Sequence, residues 1–444
     1  MHINKELSNS KSYTKWMIAS LPASIAYAPL STLVPLLILN LGGSALNVAF
    51  AVTSFNAVAM VTTFIWGKLA DTSGKRKPFI LLSYAGITAL LFLMYFARSI
   101  IDVANIYAAI ALFQSANVTP YNLLVMETEK KENWSKSFSR LQAIVNFGMI
   151  IGLVIGSFMA QASGLRLLVL IFAFASLAST AFAAKYVIEP KVSVAKKESV
   201  TKQLNNMIFA VFSYPLRTIR LPQKLHIPRF GRLSFSKLKA PFALMCISWL
   251  FFNVGMSMFN TIYPASLYIH GLSESMVFVV ILVGMIVETL LFYYALKIIK
   301  SNRLFEITES MTTVRAVSYV FVGLSFFVGG LAFFIANVAA YTAVAGLSYP
   351  LYYTASYTLL FMMIGEGNRG SSMGIYNGIG WAGYFVGSFL SGIIVLSGFT
   401  ILYITSGIFV LASVFTLRTA KSSVKVEEVK VPLNAIEGGA NSAQ

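Results

Sequence analysis

The sequence predicts an all-α membrane protein: twelve transmembrane helices in two pseudo-symmetric six-helix bundles. Three observations carry this. Apolar residues make up 57% of the 444, and charged residues only 11%, against about 25% in soluble proteins. Long stretches contain no Asp, Glu, Lys or Arg at all. Short motifs recur at one nearly constant offset. Too little charge is present to cover a soluble globule of this length, which excludes a soluble enzyme, a disulfide scaffold and a disordered chain.

A membrane helix needs about 20 mostly apolar residues. The uncharged runs 16–67, 316–365 and 370–417 each hold two spans and a turn. Asn40, Gly42, Gly43 and Ser44 mark the first fold-back, and Ser397 and Gly398 the third. The second is expected to divide near Ala332–Asn337. Six further spans lie at 78–97, 103–126, 141–163, 166–187, 241–269 and 275–297. Prolines 22, 29, 35, 120, 264 and 350 fall inside spans, where neighbouring helices re-satisfy the freed backbone groups. The runs are continuously apolar, whereas barrel strands would alternate. The first run is too long for a cleaved signal and continues into a second span.

The formal charge of +18 records topology rather than a nucleic-acid surface. Around the loops every Lys and Arg falls on one face except Arg98 and Arg166. Cytoplasmic loops carry such an excess, so both termini are expected in the cytoplasm of a cell-membrane protein. The expected organisation is a cytoplasmic N-terminus (1–14), a first bundle (15–188), a basic linker (189–240), a second bundle (241–420) and a tail (421–444) disordered at its end. The linker's apolar stretch, 207–214, fits an interfacial helix on anionic lipid, or a regulatory partner's site. One cysteine, Cys246, and three histidines, His2, His226 and His270, give no basis for a metal site, and no cofactor is expected.

The repeat is visible in two places. Pro35-x6-Gly42-x-Ser44 returns as Pro264-x6-Gly271-x-Ser273, 229 residues later. Asn146-x5-Gly152-x3-Gly156-Ser157-Phe158 returns as Asn377-x5-Gly383-x3-Gly387-Ser388-Phe389, 231 later. A shared offset points to a duplicated six-helix unit, with Asn146 and Asn377 as equivalents.

Between the second and third spans runs Gly67-Lys68-Leu69-Ala70-Asp71-Thr72-Ser73-Gly74-Lys75-Arg76-Lys77. This resembles the signature loop of the major facilitator superfamily, glycine-x-leucine-alanine-aspartate-x-x-glycine-basic-basic, at the place where that family carries it. Gly67 allows helix ends to approach, Asp71 is suited to a helix N-terminus and Gly74 permits a tight turn. Lys75 and Arg76 face possible partners in Glu127 and Glu129. The resemblance implies that these contacts hold the cytoplasmic side shut while the outside is open. It also implies secondary transport by alternating access. The second copy of the loop is degenerate, with Leu296, Lys300 and Arg303 at the positions of Gly67, Asp71 and Gly74.

Gly148, Gly152 and Gly156 share one helix face. That face is either a close-packing surface or the weakened form of an exporter motif, since no proline accompanies it. Glu288 is the one carboxylate well inside an expected span, about 20 Å from the span's start. It is either a coupling group or a structural hydrogen-bonding group. Tyr27, Asn146, Asn253, Asn260, Tyr353, Asn377 and Trp381 are candidate cavity residues. With so little charge in the spans, the expected substrate is neutral, amphipathic or monocationic, and protons are the expected coupling ion. Export is favoured. Uptake of a sugar or organic acid is the alternative, with a channel or an intramembrane enzyme more remote. A monomer in lipid is expected.

Overall fold

The computed structural model describes residues 15–73, 75–128, 134–187, 240–299, 303–363 and 369–423. Among these, twelve helical spans follow one another. The first, α1, runs through Lys15–Ala19, Ser20–Tyr27 and Leu30–Asn40, jointed at Pro29. Next come α2 (Ala45–Ser73), α3 (Lys77–Phe96) and α4 (Ile100–Thr128). Trp134–Tyr186 is one continuous stretch folded back at Gly164 (φ 78°), giving α5 (134–163) and α6 (Gly164–Tyr186). The second six are α7 (Ala240–Ile269), α8 (Glu274–Ile298), α9 (Leu304–Ser325), α10 (Gly330–Met363), α11 (Arg369–Ile394) and α12 (Phe399–Ser423). No strand occurs among the described residues.

Eleven of these helices are long and apolar enough to cross a membrane. The twelfth, α9, carries Glu306, Glu309 and Arg315, yet packs along α12 and α10 like a spanning helix. Its 22 residues extend about 33 Å. The expected start at 316 was therefore wrong. An amphipathic helix buries a single stripe, here Leu304, Thr308, Thr312, Arg315, Tyr319 and Val322, so a charged residue does not end the span.

The expected division near Ala332–Asn337 is also displaced. The chain turns at 326–329, and Gly330 takes a positive φ of 59°. Asn337 lies inside α10 as a buried link: its amide donates to Ser325 Oγ at 3.0 Å, and Tyr263 donates to its side-chain oxygen at 3.3 Å. Residues 1–14, most of the 189–240 linker with its 207–214 stretch, and 424–444 lie outside the described residues, while α12 continues to Ser423.

The duplicated turns match in detail. Gly42 (φ 82°) ends α1 and Gly271 (φ 102°) ends α7. Backbone bonds from Gly43 to Ile38 and from Leu272 to Leu267 close both helices alike. A left-handed glycine after the last turn satisfies otherwise orphaned carbonyls.

Helices α1 and α7 are the most enclosed of the apolar spans. Each is gripped by a glycine face. A Cβ at Gly148 would lie 2.6 Å from the Leu21 carbonyl, and one at Gly152 2.4 Å from that of Ile25. Gly383 and Gly387 stand in the same way against Leu250 and Val254. The spatial equivalents are thus Gly148 with Gly383 and Gly152 with Gly387, one helical turn away from the register of the sequence motif. Asn146 therefore mirrors Trp381, and Asn377 does not mirror Asn146.

The two groups of six meet at the end bearing the short turns. Asn40 donates to Glu274 at 3.2 Å. Gly156 faces the Phe278 ring, and Gly392 faces Ala49. The buried apolar residues here form one cluster spanning both groups, which on the first side reaches inward only as far as Ala26, Leu153 and Ala173. Towards the opposite end, where residues 15, 187, 240 and 423 lie, Trp16, Ile80, Tyr84, Tyr121, Leu124 and Val187 form a separate cluster belonging to the first six helices alone. The halves are closed at the turn end, and among the described residues no shared apolar cluster joins them at the terminal end.

Candidate functional site

The chemistry concentrates in the second group of helices. Arg315 on α9 is 3% exposed. It stands 11 residues from Leu304, and Glu288 on α8 stands 10 residues from Ile298. Both helix ends belong to the terminal side, so the two charges lie about 15 and 16 Å deep, near the middle of a hydrocarbon core about 30 Å thick. Each lies within electrostatic range of the other, and both act on Tyr341 and Tyr349 of α10. They do not form a direct ion pair; those among the described residues are Arg303–Glu306 and Arg418–Glu309.

Arg315 is enclosed by rings. Its guanidinium carbon lies 5.2 Å from the Phe252 centroid, 5.4 Å from Tyr349 and 5.9 Å from Tyr319. Such contacts stabilise a desolvated cation by the negative face of each ring. Its Nη1 donates weakly to Met256 Sδ at 3.8 Å, and Tyr384 donates to the same sulfur at 3.5 Å. Arg315 Nε and the Tyr319 hydroxyl are both buried, and the hydroxyl lies beside the guanidinium.

Beside this lies an aromatic wall. Phe252 stacks on Tyr352 at 4.0 Å, Trp249 on Tyr376 at 4.8 Å, and Tyr353 lies against Tyr357 at 4.3 Å. Gly380 leaves room for Trp249, whose ring nitrogen would lie 2.5 Å from a Cβ there. Between wall and charges, residues Thr342–Ser348 of α10 wind as a π-helix. Such wide turns gather at functional sites. Gly346 in this segment packs on Val287, next to Glu288.

The structure gathers some expected residues and separates others. Glu288, Asn253 and Tyr353 belong to this second-half site, and Asn253 donates to the Trp249 carbonyl at 2.7 Å. Trp381 lies 5.9 Å from Tyr384. Tyr27 sits in the first half beside Tyr84. Asn146 is buried and accepts from Gln142 at 2.8 Å. Asn260 and Asn377 are exposed. Gly148, Gly152, Gly383 and Gly387 meet backbone and side chains of α1 or α7, and Gly156 meets Phe278; all five serve close packing.

In the signature loop, Gly67 lies within α2. Arg76 is buried and donates to the Ala70 carbonyl, and Lys77 donates to the Ala184 carbonyl at 2.7 Å. Lys75 is exposed. The side chains of Asp71 and Glu127, and all of Gly74 and Glu129, lie outside the described residues.

Arg315, Trp249 and Phe252 were not anticipated. Arg315 had been placed in a loop, and the expectation of spans without a buried cation is corrected by it. The signal available was the Leu304–Thr308–Thr312–Arg315–Tyr319 stripe at helical spacing.

The sequence profile of the Major Facilitator Superfamily matches residues 16–308, and the chain belongs to that family. It is a multi-pass membrane transporter and not an enzyme. No curated protein sequence matches it. Among solved structures, the nucleoside transporter NupG aligns at TM-score 0.65 and 14% identity, over 93% of this chain and 98% of that one. A variant of the peptide transporter POT aligns at TM-score 0.70 and 14% identity, over 93% and 95%. At such identity the likeness concerns the fold.

Proposed function

We propose that this transporter moves a small amphipathic organic solute across the cell membrane by alternating access, coupled to protons through Glu288. The supporting observation is the placement of Glu288 at mid-depth beside a buried cation and an aromatic wall. Sites near the midplane between repeats are where such transporters bind. Intramembrane carboxylates are costly, and those that persist mark ion pathways.

In this reading the turn end is the outer side, held closed by Asn40, Glu274, Gly156 and Phe278, and the terminal end is cytoplasmic. The Asp71 loop serves as the latch of the opposite state. Export remains the favoured direction. Uptake of an organic acid is the second reading, favoured by Arg315.

A thermal-shift screen first identifies a ligand, since a bound solute raises stability by mass action. In proteoliposomes, Glu288→Gln is then expected to lose gradient-driven accumulation of that ligand while keeping exchange. Unchanged accumulation overturns the coupling role. Asp71→Asn is expected to slow turnover without lowering the unfolding temperature, and wild-type turnover removes the latch.

A further inference from the structure

The geometry points to Arg315 as the anchor for a single carboxylate on the transported solute, with Glu288 as the group that compensates the cation when no solute is bound. This rests on reading the mid-depth cluster as the transport site, and it narrows the solute to a monoanion with a flat, apolar body.

A guanidinium has five N–H groups in a planar fork that fits a carboxylate edge to edge. At Arg315, among the described residues, one nitrogen reaches only a thioether sulfur at 3.8 Å and Nε reaches nothing. The Tyr319 hydroxyl, likewise buried, lies beside the guanidinium. A membrane interior gives such groups no water, so their donors are held ready for an acceptor that comes and goes.

An isolated buried cation is strongly disfavoured. Glu288 acts on Arg315 from the facing helix at the same depth, without the direct pairing seen at Arg303–Glu306. The other titratable groups interacting with this pair of charges are Tyr319, Tyr341, Tyr349, Tyr352 and Tyr384. Helix α7 has no Asp, Glu, Lys, Arg or His along its length, and α5 has none of these over 141–163. The site thus holds one cation and one carboxylate. A proton on Glu288 leaves one positive charge, which a single negative charge on the solute neutralises. A dianion would exceed the available cation, and an organic cation would be repelled by it.

Phe252, Tyr349 and Tyr319 flank the guanidinium, and Phe252 continues into the stacked Tyr352. A flat ring carrying a carboxylate matches these aromatic faces, because offset stacking adds to apolar burial.

The test uses three probes of one shape on the purified full-length protein: benzoate, benzamide and benzylammonium. Benzoate is expected to raise the unfolding temperature in a saturable way, while the neutral and cationic probes do not. Arg315→Lys keeps the charge and loses the fork, and is expected to weaken benzoate at least about tenfold. Glu288→Gln removes the competing carboxylate and is expected to strengthen benzoate several-fold. Preference for benzamide or benzylammonium, no stabilisation by benzoate, or equal benzoate affinity in Arg315→Lys overturns the assignment. Benzoate held through Arg315 but not driven by a proton gradient in proteoliposomes leaves the anchor standing and removes the coupling reading. Gradient-driven movement of benzamide with Arg315→Lys unaffected does the reverse.

Discussion

The two groups of six helices share a scaffold and differ at its centre. At the offset that relates Ala45 to Glu274 at the starts of α2 and α8, Glu288 corresponds to Ala59, and Arg315 reaches Met256 of α7 as Tyr84 on α3 packs on Tyr27, the α1 residue at that same offset from Met256. Ala59 and Tyr84 are both buried, and neither carries a charge. One half thus holds an alanine and a tyrosine where the other holds two charges. The first half keeps its polar contacts nearer the terminal end, with Tyr84 bonded to Tyr121, and Thr88 donating to Ser176 at 2.9 Å. The difference teaches that duplication supplied the frame and that chemistry was confined to one copy. The scaffold does not require the charges, since its twin folds without them.

That contrast can be broken most forcefully by removing one charge. Glu288→Leu leaves Arg315 uncompensated and is expected to cost about 3–5 kcal/mol, read as a large fall in unfolding temperature. Adding Arg315→Met is expected to recover most of that loss, because a buried pair replaced by apolar groups of similar volume is often neutral or stabilising. The doubly substituted protein should fold and fail to transport. Failure of the second change to restore stability would mean that the second half needs its charges to fold.

The next effect tests sameness rather than difference. Gly152→Ala and Gly387→Ala each drive a Cβ to within 2.4 Å of a carbonyl oxygen of α1 or α7. Both are expected to cost about 1–3 kcal/mol through overpacking. Equal losses support the register of Gly152 with Gly387; a much larger loss at one position would show unequal scaffolds.

The smallest effect concerns the contact between the halves. Asn40→Ala removes the bond to Glu274, worth about 0.5–1.5 kcal/mol. A thiol introduced by Ser44→Cys, in a Cys246→Ser background, should then react roughly two- to tenfold faster with a water-soluble reagent. An unchanged rate would mean that packing of Gly156 on Phe278 holds this end without the hydrogen bond.

Much of the frame was legible from residue order. Spans are set by length and apolarity, and the glycine turns at Gly42 and Gly271 follow from a backbone conformation that few other residues adopt. The family loop was legible because its glycines and charges stand at fixed spacing. The ninth span was not, because a helix that buries one stripe can carry Glu306 and Glu309 on its other faces and still cross. That error removed Arg315 from view, and with it the main argument about substrate charge. Glu288 was legible since a lone carboxylate stands out in an apolar run. The rings around Arg315 were not, because Phe252 and Tyr349 come from two other helices and no spacing rule connects them to it. The glycine repeat slipped by one turn because Gly-x3-Gly patterns align equally well with themselves four residues along.

The π-helical stretch at Thr342–Ser348 acts on everything that follows it in α10. A turn of this kind holds one residue more than an α-turn, so it is a counted surplus within the helix. If the surplus moved or was absorbed, the residues beyond it would be re-indexed by one position, about 100° of rotation and 1.5 Å of rise. Tyr349 and Tyr353 lie directly downstream. A one-residue change of phase would carry Tyr349 off the Arg315 guanidinium as a key turns off its ward, with both ends of α10 staying where they are.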